Sequence, residues 1–305
     1  MIKTLEGMVE KAKSLPPKTI AIALAEDENT LGAIDQAVAS GFAKALMFGN
    51  KDKIIKCCDD LKIDHHRFEI IDTPSAEIAV SEAVKAVKNN EADVLMKGLV
   101  NTDKFLKAVL DKEKGLLPPK TVMSYVCAIE IPARDKLLFV TDTAVLVTPN
   151  LEQKAAMLKY AVQMANKFGI TKPKVALLAA TEKVNPAMES TLTDAMVCQM
   201  VARKQLPDCV VDGPLDLFLA CDPSAAEIKG VPNLINGEAD ILICPSLDAA
   251  NIFYKGLMLF ASGELAGLIQ GTSKPVVVMS RSESKKSKFY CIALSCLMAS
   301  SENEK

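Results

Sequence analysis

The feature that most constrains the fold is the alternation of strand-like and helix-like segments along the chain. Short runs of β-branched or continuously apolar residues, such as Lys18–Leu24 (KTIAIAL), are separated by segments in which apolar residues recur every three or four positions. Continuously apolar strands are typical of parallel sheets covered by helices on both faces. The sequence therefore predicts an α/β protein with mainly parallel sheets.

The pattern changes once, near the polar segment 132–136. Before it, strands are predicted at 18–24, 45–48, 68–71, 93–96 and 121–126, and helices at 30–41, 52–61, 75–89 and 103–110. After it, two close strands (137–140 and 144–147) and a helix (151–168) are predicted, and then strands at 174–179, 209–212, 240–244, 267–270 and 276–279 before a C-terminal helix. We interpret the change as a boundary between two α/β lobes.

Composition limits the classes of function. The 305 residues carry a net charge of −2 with both signs interspersed, and there is no Trp, so no nucleic-acid partner is expected. No apolar run approaches the ~20 residues of a membrane helix, and residues 1–30 lack the order of a signal peptide. Nine Cys without a C-x-x-C pair indicate reduced thiols rather than disulfides or a zinc site. We therefore expect a cytoplasmic protein that does not bind membranes.

Several common catalytic motifs are absent from the sequence. It contains no G-x-G-x-x-G, no G-x-x-x-x-G-K-[ST], no H-E-x-x-H and no G-x-S-x-G. The usual dinucleotide, nucleoside triphosphate, zinc-protease and serine-hydrolase interpretations therefore lose their main support.

The turn Ser280-Arg281-Ser282-Glu283-Ser284 follows the last predicted strand and precedes the C-terminal helix. A strand-to-helix turn directs backbone N–H groups and the positive end of a helix outward, which favours an anion. Arg281 adds a bidentate donor for phosphate, and the Ser hydroxyls add neutral hydrogen-bond partners. The other interpretation is an ordinary helix start with a Ser N-cap. The turn alone does not decide between them.

Other polar groups follow predicted strands, at the edge where open α/β sheets bind ligands. Lys97 and Gly98 precede the helix-capping residues Asn101 and Thr102, and Ser124 follows strand-like residues 121–123. Three more polar segments lie at 179–193, which includes Lys183, at 212–216 and at 245–251. Each segment alone is equally typical of a loop or a capped helix. Together with the turn at 280–284, they make a cleft plausible.

The order of five sequence blocks resembles the phosphate acetyl/butyryl transferase family, and most closely its phosphate butyryltransferase (phosphotransbutyrylase) branch. The blocks are MKGLVNTDKFLKAVL, TDTAVLVTPNLEQKA, VDGPLDL, PSLDAANIFYK and VVVMSRSES. The resemblance runs from about Ile20 to Leu297. Several ordered blocks at consistent spacing are more specific than any one turn.

The resemblance implies a fold, a reaction and partners. The fold is two α/β/α lobes with mainly parallel sheets around a cleft, isocitrate/isopropylmalate-dehydrogenase-like, with residues 1–136 and 280–305 in the first lobe and 137–279 inserted as the second. The reaction is acyl-CoA + phosphate ⇌ acyl phosphate + CoA, most closely with butyryl or branched short-chain acyl groups. It implies no metal and no permanently bound cofactor, with CoA as a substrate, and a homodimer or higher homo-oligomer.

The resemblance also assigns roles to residues of the blocks. Ser280 and Arg281 correspond to the family's Ser-Arg pair and would hold the phosphate or the carbonyl oxygen. The resemblance gives no base for the CoA thiol, and Glu283, two positions after Arg281, is a candidate chosen only for its place in the sequence. The residues expected to bind substrate are Lys97, Gly98, Asn101, Thr102, Ser124, Lys183 and Ser282.

Two positions depart from the acetyltransferase branch of the family. Its Asp seven residues after the catalytic Ser, often assigned as the thiol base, is Ser287 here. An Arg of that branch corresponds to Met258. An apolar side chain in place of a charge suits a larger acyl group, and the thiol base is left unassigned.

Three alternatives to a butyryl-type transferase remain open on the sequence. The first is a phosphate acetyltransferase. The second is a non-catalytic sensor of acyl-CoA or acyl phosphate that keeps the pocket. The third is a decarboxylating dehydrogenase of 2-hydroxy acids, which needs a divalent metal held by paired Asp residues. Asp216 and Asp240 form no evident ligand cluster in the sequence, which argues against the third.

Overall fold

The computed structural model of the chain describes residues 1–279 and 284–300. Its strands are β1 (Lys18–Ala23), β2 (Ala43–Gly49), β3 (Glu69–Asp72), β4 (Val94–Lys97), β5 (Ser124–Glu130), β6 (Leu138–Thr141), β7 (Lys174–Leu178), β8 (Val210–Leu215), β9 (Ile241–Ile243), β10 (Glu264–Gln270) and β11 (Val276–Val277). Its helices are α1 (Leu5–Lys13), α2 (Glu28–Ala39), α3 (Lys51–Asp60), α4 (Ala76–Lys88), α5 (Thr102–Val109), α6 (Leu151–Lys167), α7 (Glu189–Ala202), α8 (Leu217–Cys221), α9 (Pro223–Lys229), α10 (Leu247–Phe260) and α11 (Lys285–Ala299).

The chain divides into two compact units. The first unit comprises Glu6–Thr121 and the described part of Ala266–Lys305, and the second comprises Met1–Leu5 and Val122–Leu265. The lobe boundaries predicted from the sequence were 136/137 and 279/280. Strand pairing explains the difference, because β5 pairs antiparallel with β6 and β10 with β11. The polar segment 132–136 therefore connects two strands of one unit.

The first unit is built on the strand order β3-β2-β1-β4-β11-β10. All neighbours are parallel except β10 and β11. Ile20 and Ile22 of β1 are fully buried, as are the alternate residues Ala21 and Ala23. Helix α4 packs on β1, α2 packs on β2, and α11 packs on β4. A strand buried in this way needs apolar residues at successive positions, which is the pattern that the sequence of β1 shows.

The second unit has the strand order β5-β6-β9-β7-β8. Only β5 and β6 are antiparallel, and the remaining neighbours are parallel. Both units thus contain mostly parallel sheet, and the predicted α/β class is confirmed.

Several helices begin and end at capping residues. Asn150 caps α6 in a capping box with Gln153, Ser246 caps α10, and Ser75 caps α4. Gly41 follows α2 with a φ of +83°, a conformation that glycine adopts without a steric penalty. Polar side chains therefore cap the starts of several helices in this chain.

One predicted strand is wrong. Residues 144–147 form bends rather than a strand. The backbone N–H groups of Ala144 and Val145 each donate to the Asp142 carboxylate at 2.8 Å. These amides are turned toward a side chain, so they are not available to a sheet.

The C-terminal helix is buried more completely than its sequence pattern predicts. The spacing of Phe289, Ile292 and Cys296 indicates one buried face, but every residue of α11 from Ser287 to Leu297 is buried. Part of that burial comes from α2, which packs along α11, and from β4 and β11. The helix is thus a central element of the first unit.

Candidate active site

A cavity of about 150 Å³ lies in the first unit, where β4 ends and α2 begins. The carboxyl ends of parallel strands are the usual ligand-binding edge of an α/β sheet. The residues that line the cavity are Asp27, Glu28, Asn29, Met96, Lys97, Gly98, Leu99, Met279 and Lys288.

Two predicted site residues, Lys97 and Gly98, meet in this cavity. Lys97 is the last residue of β4 and is only 7% exposed. Its ammonium lies 3.3 Å from the carbonyl oxygen of Gly98 and 3.2 Å from that of Val100. The cation is therefore held at the strand end by the loop that follows it.

Gly98 is required by the packing of the backbone. A Cβ atom added to Gly98 would lie 2.1 Å from the carbonyl oxygen of Leu24. The Gly98 N–H donates to Ala23 O at 2.9 Å, and the Leu99 N–H donates to Leu24 O at 2.8 Å. The close approach expected at this glycine is thus to the chain's own backbone after β1.

Asn101 and Thr102, also predicted to bind substrate, start α5. The Asn101 side chain accepts a hydrogen bond from the Asp103 N–H at 2.8 Å and caps the helix. Both residues are exposed. Their observed contacts are those of a helix start, with room for a ligand on the open side.

Most of the turn that was predicted to carry the catalytic residues is not among the residues that the structure describes. Ser280, Arg281, Ser282 and Glu283 lie outside the described residues. Ser284 is described and caps α11, accepting from the Ser287 N–H at 3.0 Å. The capping interpretation of the last serine is therefore confirmed.

Ser287 occupies the position at which the acetyltransferase branch was expected to have its Asp. It is 7% exposed, and its hydroxyl lies 3.1 Å from that of Ser284. A serine in a helix cap cannot act as a carboxylate base.

Lys288 and Asp27 were not predicted as site residues. Lys288 is 6% exposed, and its ammonium lies 3.5 Å from Asp27 Oδ1 and 3.5 Å from Thr30 Oγ1. In the sequence, Lys288 looks like part of an exposed basic run at 285–288, but it precedes Ile292 by four residues. That spacing puts it on the buried face of the helix and is the signal that identifies it.

Asp27 has a similar signal. It follows β1 as a polar residue at a strand end, like the other candidates, and it caps α2 by accepting from the Thr30 N–H at 2.9 Å. Site residues were predicted only at strand ends that come later in the chain.

Ser124 lies in the second unit and begins β5 rather than following a strand. It is fully buried, and its hydroxyl donates to Asp142 Oδ2 at 2.9 Å. The same carboxylate also accepts from the Tyr125 N–H at 3.0 Å, besides Ala144 and Val145. Burial raises the pKa of Asp142, and these four donors act against that rise. Ser124 is thus one part of a buried hydrogen-bond cluster.

Lys183 also lies in the second unit, in the polar segment before α7. It is exposed, and its backbone N–H donates to Thr181 Oγ1 at 3.2 Å. The end of this segment, which the sequence suggests is a loop, forms the first turn of α7. That helix was missed because its N-cap, Met188, makes no side-chain cap.

The acidic residues considered for a metal are engaged elsewhere. Asp216 caps α8 and pairs with Lys229, and Asp240 pairs with Lys136 at 2.6 Å. Among residues 1–279 and 284–300, no group of three His, Cys, Asp or Glu side chains is arranged to hold a metal ion. Within the same ranges, no helix has the length and apolar character needed to span a membrane.

Comparison with known proteins identifies the family. The family model described as "Phosphate acetyl/butaryl transferase" matches residues 76–296. The "Phosphate butyryltransferase" of Clostridium acetobutylicum is 41% identical over 98% of this chain and 99% of its own length. The "Phosphate acetyltransferase" of Thermotoga maritima is 39% identical over 97% of this chain and 99% of its own.

A solved structure agrees with these relatives. The crystal structure of a branched-chain phosphotransacylase from Enterococcus faecalis has a TM-score of 0.82 and 29% identity, and covers 92% of this chain and 99% of its own. The predicted family, fold class and acyltransferase activity are confirmed. The chain belongs to the phosphate acetyl/butyryl transferase family.

Proposed function

We propose that this acyltransferase moves a butyryl or branched short-chain acyl group between CoA and inorganic phosphate. The observation that carries the proposal is the 41% identity, over nearly the full chain, to a protein named phosphate butyryltransferase. The name of the branched-chain phosphotransacylase adds support for a substrate of this size. The apolar Met258, in place of the Arg expected in the acetyltransferase branch, also favours a larger acyl group.

In the direction of acyl phosphate formation, a phosphate oxygen attacks the thioester carbonyl carbon. The new C–O bond gives a tetrahedral oxyanion, and the C–S bond then breaks as CoA leaves as a thiolate with the electron pair. The site must hold a phosphate dianion and stabilise the oxyanion, which calls for cations and hydrogen-bond donors. No covalent intermediate with the protein is needed.

We assign the phosphate to the cavity of the first unit and the turn that follows it. Lys97 and Gly98 line this cavity, as does Met279, which directly precedes Ser280 in the chain. Arg281 would hold the phosphate or the carbonyl oxygen, and Ser280 and Ser282 would donate hydrogen bonds. Glu283 is the proposed base for the CoA thiol in the reverse direction.

The remaining substrate-binding assignments are supported to different degrees. Asn101 and Thr102 are exposed at the start of α5, four and five residues beyond Lys97. The Ser124 hydroxyl donates a hydrogen bond to Asp142, so it would offer a substrate only its oxygen lone pairs. Lys183 is an exposed cation and would attract an anionic substrate by charge.

No permanently bound cofactor takes part in the proposed reaction, and CoA acts as a substrate. The partners are acyl-CoA, phosphate and acyl phosphate. We place the reaction in the cytoplasm because the nine cysteines are free thiols.

We also propose that the protein is a homodimer, and that α10 contributes to the interface. Only Ala250 of the fourteen residues of this apolar helix is buried. Ile252, Leu259 and Phe260 are 72%, 75% and 85% exposed, and they share one helix face. An exposed apolar stripe of this kind is typical of a contact with another chain. Light scattering should give the mass of a dimer for the native chain and of a monomer for Phe260→Glu; a native monomer would contradict the proposal.

The function is tested by phosphate-dependent release of CoA thiol. Acetyl-, butyryl-, isobutyryl- and isovaleryl-CoA are compared with EDTA present. The proposal expects thiol release that requires phosphate and is fastest with four- or five-carbon acyl groups. Release fastest with acetyl-CoA would keep the reaction and overturn the acyl preference. No phosphate-dependent release from folded protein would favour a sensor.

A further inference from the structure

Lys288 is a buried cation without a close partner among the described residues. Its ammonium lies in the cavity of the first unit, and only 6% of the residue is exposed. Its two contacts, with Asp27 Oδ1 and Thr30 Oγ1, are both 3.5 Å long. Charge-assisted hydrogen bonds are normally 2.7–2.9 Å long. The ammonium is thus held loosely on the side of α2.

A loosely held ammonium in a buried position is costly unless another group completes its hydrogen bonds. An ammonium has three donors, and a charge removed from water needs them satisfied. The contact with Asp27 is longer than a normal charge-assisted hydrogen bond, and its Oδ1 is shared with the Thr30 N–H, which donates to it at 2.9 Å. The donors of Lys288 are therefore available to an anion in the cavity.

The cavity has the size and the hydrogen-bond donors for a small anion. Its volume of about 150 Å³ is below the ~300–1,000 Å³ of pockets for larger ligands. Lys97 supplies a second buried cation, and the first turn of α2, at Glu28 and Asn29, supplies N–H groups that have no acceptor inside the helix.

Asp27 is compatible with such an anion. Hydrogen phosphate keeps one O–H group, which can donate to the Asp27 carboxylate while its other oxygens accept from the cations. A fully deprotonated anion would lack this contact. The lining thus combines two ammonium groups with the carboxylates of Asp27 and Glu28. An anion that can both accept and donate hydrogen bonds, such as hydrogen phosphate, suits this mixture.

We propose that Lys288 binds the inorganic phosphate substrate, together with Lys97 and the first turn of α2. This role rests on the proposed function and adds a substrate contact beyond the Ser-Arg turn. The phosphates of CoA are the other source of the same chemistry. The experiment must separate the two.

Lys288→Met removes the charge and keeps most of the side-chain volume. The KM for phosphate should rise at least about tenfold, and the KM for butyryl-CoA should stay within about twofold, because one charge-assisted contact to phosphate is lost. Calorimetric titration of the folded variant with inorganic phosphate should show the same weakening. This readout does not depend on turnover.

Lys18→Met is the matched control. Lys18 is 7% exposed in the first unit, but it begins β1, at the end of the strand opposite to the cavity. This variant should bind phosphate like the native chain. Lys288→Gln, which is shorter and polar, serves if Lys288→Met does not fold.

Three outcomes would overturn the proposal. They are unchanged phosphate binding in the folded Lys288 variants, a rise in the KM for butyryl-CoA alone, and equal weakening of phosphate binding in Lys18→Met. Thiol release by the native chain tests the proposed function separately. A native chain that is active and a Lys288→Met variant with normal phosphate affinity would refute only this inference.

Discussion

Each unit contains a buried lysine that faces an aspartate, and the two pairs differ in closeness and exposure. In the second unit, Lys154 and Asp194 are each 1% exposed and in direct contact, and Lys154 also donates to Ser190 O at 3.0 Å. In the first unit, Lys288 and Asp27 are 3.5 Å apart, with side chains 7% and 21% exposed. The Lys154–Asp194 pair is closed to solvent, whereas the Lys288–Asp27 pair borders a cavity.

The difference separates a structural ion pair from a binding site. Burial raises the pKa of Asp194, and Lys154 acts against that rise, so each member of the pair compensates for the burial of the other. Lys288 lacks such a close counter-charge. A buried charge that is not matched internally indicates a ligand, and one that is matched indicates a role in stability.

The largest expected effect comes from breaking the closed pair. Lys154→Met leaves the Asp194 carboxylate buried without its counter-charge, and should lower the free energy of unfolding by about 3–5 kcal/mol. Denaturant unfolding measures the change. Lys154→Met combined with Asp194→Leu should recover most of it. A loss below about 1 kcal/mol in the single variant would contradict the structural role.

The second prediction uses buried thiols as reporters of each unit. Burial raises the pKa of Cys296, on α11, and of Cys127, on β5, to about 12, so both should react with alkylating reagents only when the structure opens. Phosphate at ten times its Kd should slow alkylation of Cys296 about tenfold, and that of Cys127 much less. Mass spectrometry follows both sites.

Unfolded protein, in which both thiols react freely, is the control for this labelling. Unchanged alkylation of Cys296 would contradict phosphate binding in the first unit. Equal slowing at both cysteines would show that the two units open together.

A smaller effect is expected from the buried cluster around Asp142. Ser124→Ala removes one of four donors to the carboxylate and should lower the free energy of unfolding by about 1 kcal/mol. Ser295→Ala is the matched control, since Ser295 is also fully buried but donates to a carbonyl oxygen of its own helix, Ile292 O. Equal losses in the two variants would show that Ser124 contributes no more than a generic buried hydroxyl.

The smallest effect on stability is expected at Lys288. Lys288→Met should change the free energy of unfolding by less than about 1 kcal/mol, because its contact with Asp27 is long and Asp27 keeps the Thr30 N–H. Thermal and denaturant unfolding measure it. A loss as large as that of Lys154→Met would make Lys288 a structural residue and remove the contrast between the pairs.

The parts of the fold that the sequence predicts are those set by local patterns. Continuous apolar strands such as β1 and caps such as Asn150 and Ser246 are visible in a few neighbouring residues. Helix α7 was missed because Met188 provides no cap, and 144–147 was wrongly predicted as a strand. The Ala144 and Val145 amides of this segment donate to Asp142, a contact that a continuous apolar run does not reveal.

In the candidate site too, the residues set by local patterns were predicted and those set by distant contacts were missed. Lys97 and Gly98 were predicted because they end a strand, and they do line the cavity. Lys288 was missed because its neighbours Lys285 and Lys286 suggest an exposed basic run, whereas the helical period turns Lys288 inward. Whether the Lys288 ammonium has a close counter-charge depends on its distances to Asp27 and Thr30 at the start of α2, and these distances cannot be read from a local sequence pattern.

The most direct test of the account is to observe both products of the proposed reaction. The native chain is incubated with butyryl-CoA and inorganic phosphate, and a ³¹P NMR time course is recorded while free thiol is measured in the same sample. The account predicts a new acyl phosphate resonance that grows in equal amount with the released CoA thiol. Thiol release without acyl phosphate, or neither product from folded protein, would contradict it.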